Sequence, residues 1–141
     1  MTEGILLDTI NTILTALKTP KNKFTFKKVI KGTVPPPDAI TAFPSIAFYV
    51  AESQYEDYKT YQKVNAEVLF YIFNKHRTSG LSVEDIDSKL MQQVRQAIGE
   101  LTDKSIISSS IHSSIRDGGA MFPRTIVELT GSIEYIEPKG C

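Results

Sequence analysis

The chain has 141 residues, 41% hydrophobic and 23% charged, the proportions of an ordinary folded domain. Its 16 Lys and Arg balance its 16 Asp and Glu, so the formal net charge is zero and bulk positive charge cannot drive generic nucleic-acid binding. The single cysteine, Cys141, excludes an intrachain disulfide and leaves no Cys/His cluster for a metal.

This length fits one domain, 1–141, large enough to bury roughly two thirds of its unfolded surface. Cys141 reads as a solvated terminal thiol, and such sparse cysteine use suits a cytosolic setting. Met1-Thr2-Glu3-Gly4 has no basic stretch and no continuous apolar run, so no signal peptide is expected. No run of about 18 apolar residues occurs, so no membrane span is expected.

Residues 3–18 place Leu6, Ile10, Ile13, Leu14 and Leu17 at helical spacing, with Thr2 as N-cap and Thr19-Pro20 as the stop. "KFTFKKVIKG" follows as a short strand or extended arm, with five lysines between Lys21 and Lys31 and no acid. "TVPPPDAITAFP" contains Pro35, Pro36 and Pro37; prolines cannot donate ladder hydrogen bonds, so a stiff extended loop is expected. "SIAFYVAE" alternates, with Ile46, Phe48 and Val50 on one face and Ala47, Tyr49 and Ala51 on the other. A polar, acidic turn is expected from Ser53 to Asp57.

"TYQKVNAEVLFYIFN" is a longer strand, with Val64, Ala66, Val68, Phe70 and Ile72 on one face. Leu69, Tyr71 and Phe73 make its far end apolar on both faces, which predicts cover on both faces there. "SVEDIDSKLMQQVRQAIGEL" is the clearest helix. Ser82 and Asp85 resemble a capping box, Glu84, Asp85 and Asp87 complement the helix dipole, and Val83, Ile86, Leu90, Val94, Ala97, Ile98 and Leu101 form the apolar stripe. In "SIISSSIHSSIR" the spacing places Ile107, Ile111 and Ile115 inward among serines. The last strand turns Val127, Leu129, Ile133 and Tyr135 inward and Arg124, Glu128, Thr130, Ser132 and Glu134 outward, with Ile126 breaking the polar face.

The order α, β, β, β, α, β, β, with strands clustered into hairpins, predicts an α+β fold. It should have a mostly antiparallel sheet of about five strands and two main helices packed on one side.

No stretch carries a catalytic or metal signature. His76 and His112 lack partners at useful spacing and read as surface histidines. The serines at 108–110 and 113–114 alternate with isoleucines, and no G-x-S-x-G elbow is present. "RDGGAMFP" precedes a strand rather than a helix, so it is no phosphate cradle. The charge feature open to a functional reading is the lysine run, with Lys23, Lys27, Lys28 and Lys31 as a patch for an acidic partner or passing DNA. Its bland alternative is a solvated edge strand guarded by lysines.

The layout resembles the tail terminator, or tail completion, proteins of long-tailed bacteriophages. The matching parts are the helix "ILLDTINTILTAL", the proline-bearing loop before "SIAFYV", the strand "KVNAEVLFYIF", the acid-capped helix "SVEDIDSKLMQQVRQAI" and the closing "FPRTIVELTGSIEY". The resemblance implies a structural virion protein of the tail or neck, assembled in the host cytoplasm. It implies a homo-oligomeric ring, expected to be a hexamer, that caps the tail tube and ends its polymerisation. Implied partners are the tail tube protein, the head connector and, if the tail is contractile, the sheath protein. DNA passes without specific contact. The resemblance brings no catalytic residue, no cofactor and no membrane.

On this reading the interface candidates are Arg124, Glu128 and Glu134 on the outward row, Pro35, Pro36 and Pro37, and Asp117, Met121 and Phe122 in the glycine-rich loop. Either assembly orders that loop, or Phe122 tucks into its own core. The alternatives are another phage neck or head-tail joining protein, and a small cytosolic ligand-binding domain. The last would need a pocket with converging polar groups.

Overall fold

The computed structural model describes residues 1–17, 26–75, 83–101, 103–117 and 124–139, with the backbone alone at 83–87. The elements are α1 (Glu3–Ala16), β1 (Lys28–Lys31), a 3₁₀ turn (Pro37–Ala39), β2 (Ser45–Asp57), β3 (Tyr61–Lys75), α2 (Val83–Gly99), β4 (Ile106–Arg116) and β5 (Arg124–Pro138). This is the expected α+β order. The five strands form one sheet in the order β1-β2-β3-β5-β4. Ser82, with its expected cap, and the side chains of Val83, Glu84, Asp85, Ile86 and Asp87 lie outside the described residues, as does Cys141.

α1 starts where Thr2 Oγ1 accepts a hydrogen bond from the Ile5 N–H at 3.2 Å, so the expected cap forms. Leu6, Ile10 and Leu14 are fully buried, one per turn of a single stripe. On α2, Leu90, Val94 and Ile98 are buried in the same way. Both stripes join one core with Val64, Ala66, Val68, Phe70 and Ile72 of β3 and with Val127, Leu129, Ile133 and Tyr135 of β5. The two helices therefore cover one sheet face, here called the inner face. Phe48 and Phe70 stack in its centre with ring centroids 5.9 Å apart. Gly131 lies opposite Val68, and its missing side chain leaves room for β4, since a Cβ there would meet the Ser110 carbonyl oxygen at 3.2 Å and Ile111 Cδ1 at 3.1 Å.

The sequence reading leaves one detail open, and three others depart from it. First, β1 pairs with β2 in parallel, Lys28 opposite Ser45. A parallel neighbour requires the chain to travel back along the strand before re-entering the sheet. The segment 32–44 makes that return across the face away from the helices, the outer face. Gly32, at φ 84, ends β1 and donates its N–H to the Phe48 carbonyl at 2.8 Å.

Second, that return is not wholly extended. Pro37 opens a 3₁₀ turn, where its missing N–H costs nothing, and the Ile40 N–H closes back on the Pro37 carbonyl at 3.2 Å.

Third, Ser53 to Asp57 is strand rather than turn. It pairs with Gln62 to Ala66 after a bulge between Val50 and Glu52. The reversal comes later, where the Tyr58 N–H donates to the Tyr61 carbonyl at 2.9 Å and the two rings stack at 4.8 Å. A polar run suits a strand whose outer side is bare, so polarity alone does not mark a turn.

Fourth, Ile107 and Ile115 do not point inward; they are 51% and 61% exposed. β4 carries bulges between Ile106 and Ser108 and between Ile111 and Ser113. Each bulge shifts the alternation by one residue. Ile106 takes the inward place expected of Ile107, opposite Tyr135, while Ile115 falls opposite the outward Glu128. Ile111 alone of the three packs on the core. The same shift lets Ser109 Oγ donate to the Ile98 carbonyl at 2.6 Å and brings Arg116 to Ser88 Oγ at 3.1 Å.

Candidate functional site

The helices cover the inner face, so the outer face is where side chains of several strands stand open to a partner. It has two halves. In one, Ala47, Tyr49, Tyr71, Phe73 and Ile126 make an apolar floor, and Val34, Ile40 and Phe43 of the returning segment pack on it. The expected two-sided cover of β3 is found here. Between floor and segment lies a cavity of about 500 Å³, bordered by Pro35, Pro37, Tyr49, Tyr71 and Phe73. The Tyr49 and Tyr71 rings stack at 6.4 Å. Burial, then the Glu128 carboxylate and Tyr49, hold the Tyr71 phenol above its ordinary pKa, so it stays a neutral donor.

Arg124 ties the segment down. Its guanidinium donates to the Pro37 carbonyl at 3.3 Å, lies 3.5 Å from Asp38 Oδ1, and sits 5.7 Å from the Phe43 ring centre. The Asp38 side chain is 96% exposed, so the carbonyl and ring contacts carry more of the tie than the ion pair does.

The other half is polar. Glu52, Gln54, Asn65, Glu67, Ser132 and His112 border a hollow of about 200 Å³. Glu134 stands 3.6 Å from Lys63 and accepts from Ser108 Oγ at 3.2 Å. Ser132 Oγ donates to Asn65 Oδ1 at 2.8 Å. At the hairpin tip, hydrogen bonding from Gln62 and then from Lys139 holds the Asp57 carboxyl below its ordinary pKa.

The structure thus gathers Arg124, Pro35, Pro36 and Pro37 at one corner of the outer face, with Glu128 in mid-face and Glu134 in the polar half. Arg124 makes its near contacts within its own chain. Asp117 stands at the end of β4, its N–H donating to the Ile126 carbonyl at 3.1 Å. Met121, Phe122, Lys23 and His76 lie outside the described residues.

The rest of the lysine run is split by strand alternation. Lys31 turns to the helix side and bonds Asp8 of α1, whereas Lys27 and Lys28 are exposed at the sheet edge. Two features escaped the sequence reading. The Tyr49–Tyr71 stack and the facing pair Glu52 and Glu67 both depend on strand register, which no local pattern in this chain displays. Among the described residues, no group of three or more His, Cys, Asp or Glu side chains is placed to hold a metal ion, and no helix is long and apolar enough to cross a membrane.

A chain from the virion of a native gene transfer agent (GTA) particle shares this architecture. The TM-score is 0.63 at 11% sequence identity, over 93% of this chain and 94% of that one. At that identity the likeness concerns the fold. No protein-family model and no curated protein matches the sequence.

Proposed function

We propose that this chain is a structural protein of a phage-type virion, acting by contact rather than catalysis. The observation that supports it is the fold shared with a virion chain from end to end, 93% of one and 94% of the other. The finer reading rests on the resemblance to tail terminators. The chain forms a ring on the end of the tail tube, stops tube growth and offers a surface to the head connector. If the tail is contractile, the sheath meets it as well.

The outer face suits this role. It combines apolar floor, mixed charges and open polar side chains, the composition of an interface that forms after folding. The experiment adds the purified chain to polymerising tube protein and measures tube length and end occupancy by negative-stain electron microscopy. Shorter tubes with density on one end support the terminator reading. Unchanged lengths with bare ends overturn it, and binding only to the head connector moves the chain to another neck position.

A further inference from the structure

The outer face places like charges directly opposite each other at two positions, with opposite sign. Glu52 faces Glu67 across β2 and β3, and Lys75 faces Arg124 across β3 and β5. Such pairings weaken a sheet. Arg124 is relieved by Asp38 and the Pro37 carbonyl. Glu52 and Glu67 have no ion pair among the described residues, and neither does Lys75.

The two glutamates border the polar hollow, whose other walls are amide, hydroxyl and imidazole groups. Lys28 belongs to the cationic end. It pairs with Ser45, which pairs with Phe73, two residues before Lys75. It too is exposed without an ion pair among the described residues. Glu67 and Lys75 stand on the same strand about 27 Å apart at the usual rise per residue. That is well beyond the screening length of about 8 Å at physiological salt, so the two ends cannot neutralise each other within one chain.

We propose that the Glu52–Glu67 hollow receives the Lys28 and Lys75 end of a second copy of this chain. Different surfaces of the two copies meet, so the contact propagates from subunit to subunit and closes into a ring where the rotation allows. The inference rests on the ring reading above and adds to it the two surfaces that join. The returning segment already occupies the apolar half of the face, which leaves the polar half for the neighbour. A hollow of about 200 Å³ bordered by two glutamates suits the ends of ammonium side chains, and the charge on the two surfaces is complementary.

The test uses two charge-reversed chains, E52K/E67K and K28E/K75E, sized by sedimentation velocity over a concentration series, alone and on tube ends. Each alone associates about tenfold more weakly than the wild type, or worse. An equal mixture of the two restores assembly, because each reversed surface finds its complement on the other chain. The fourfold variant restores it in a single chain, and circular dichroism separates misfolding from lost contact. Added salt weakens the wild-type assembly.

Wild type that stays monomeric at every concentration and on tube ends overturns the proposal. So do reversed chains that assemble as the wild type does. Tube capping lost with oligomer size unchanged also overturns it, and assigns the hollow to the tube protein. Assembly that obeys the charge exchange while tube growth is untouched keeps the contact and removes the terminator reading.

Discussion

The two ends of the β2–β3 hairpin are built from the same strands and differ in what covers them. Near Phe70 to Asn74 the helices cover one face and the returning segment covers the other, and β3 has a run of three buried residues. Near Tyr61 to Glu67 only the inner face is covered: Val64 and Ala66 are buried, while Tyr61 to Lys63, Asn65 and Glu67 are not. The cause is the parallel pairing of β1 with β2. It forces the chain back over the first end and never over the second. One sheet thus has a closed end covered on both faces and an end whose outer face is bare.

Substitutions can break or sharpen this contrast. The largest effect is expected from Phe70→Ala, which empties a fully buried site stacked on Phe48. A loss of about 3–5 kcal/mol is expected in urea denaturation. A loss below about 1 kcal/mol would show that the closed end is loosely packed.

Next comes Gly131→Ala. Its Cβ would press on the Ser110 carbonyl, which is backbone and cannot rotate away. Destabilisation of about 1–3 kcal/mol is expected by the same measurement.

Arg124→Ala should cost about 1 kcal/mol in global stability, since one carbonyl hydrogen bond and a ring contact disappear. Its sharper signature is local. The Ile40 amide, bonded to the Pro37 carbonyl, should exchange faster by hydrogen-deuterium exchange while the Phe70 amide is unchanged. Equal acceleration at both would mean that the two halves open together.

The smallest effect is expected at the bare end. Glu67→Gln removes a charge facing Glu52, so stability should rise or stay within about 0.5 kcal/mol.

A pH series probes the inner face beneath the bare end, where Tyr135 lies opposite Val64. Burial first, then Glu137 and other nearby groups, pushes the Tyr135 phenol from 10.0 up to about 12. The raised group binds its proton longer in the folded chain than in the unfolded one. Its stabilising contribution is therefore full below pH 10 and is lost between pH 10 and about 12. Alkaline denaturation should begin at higher pH in Tyr135→Phe. An unchanged onset would place the transition on another group.

Much of the fold is legible in the residues. The stripe of Leu6, Ile10 and Leu14, its Thr2 cap, the stripe of Leu90, Val94 and Ile98, and the alternation of Val64 to Ile72 each report a local period that burial preserves. Even the two-sided cover of β3 is visible in the apolar run Leu69 to Phe73. Two of the three β4 isoleucines read as inward, Ile107 and Ile115, are misplaced by local pattern, because a bulge is set by the partner strand. Ile107 and Ile115 look like core residues until Ser108 pairs with Glu134 and Ser113 with Thr130. The candidate site is less legible still. Arg124 and Glu134 show as an outward row, but Pro37 beneath Arg124 is 87 residues away, and Glu67 lies 15 residues from Glu52.

By itself, then, the sequence determined the two helices, most of the strand positions and the buried stripes of α1, β3 and β5, since a period of 3.6 or 2 is written in neighbouring residues. Tertiary structure alone decided the parallel edge strand, the bulges and the charges brought face to face. Those depend on which strands meet and in what register, and register is a property of pairs that no single segment carries.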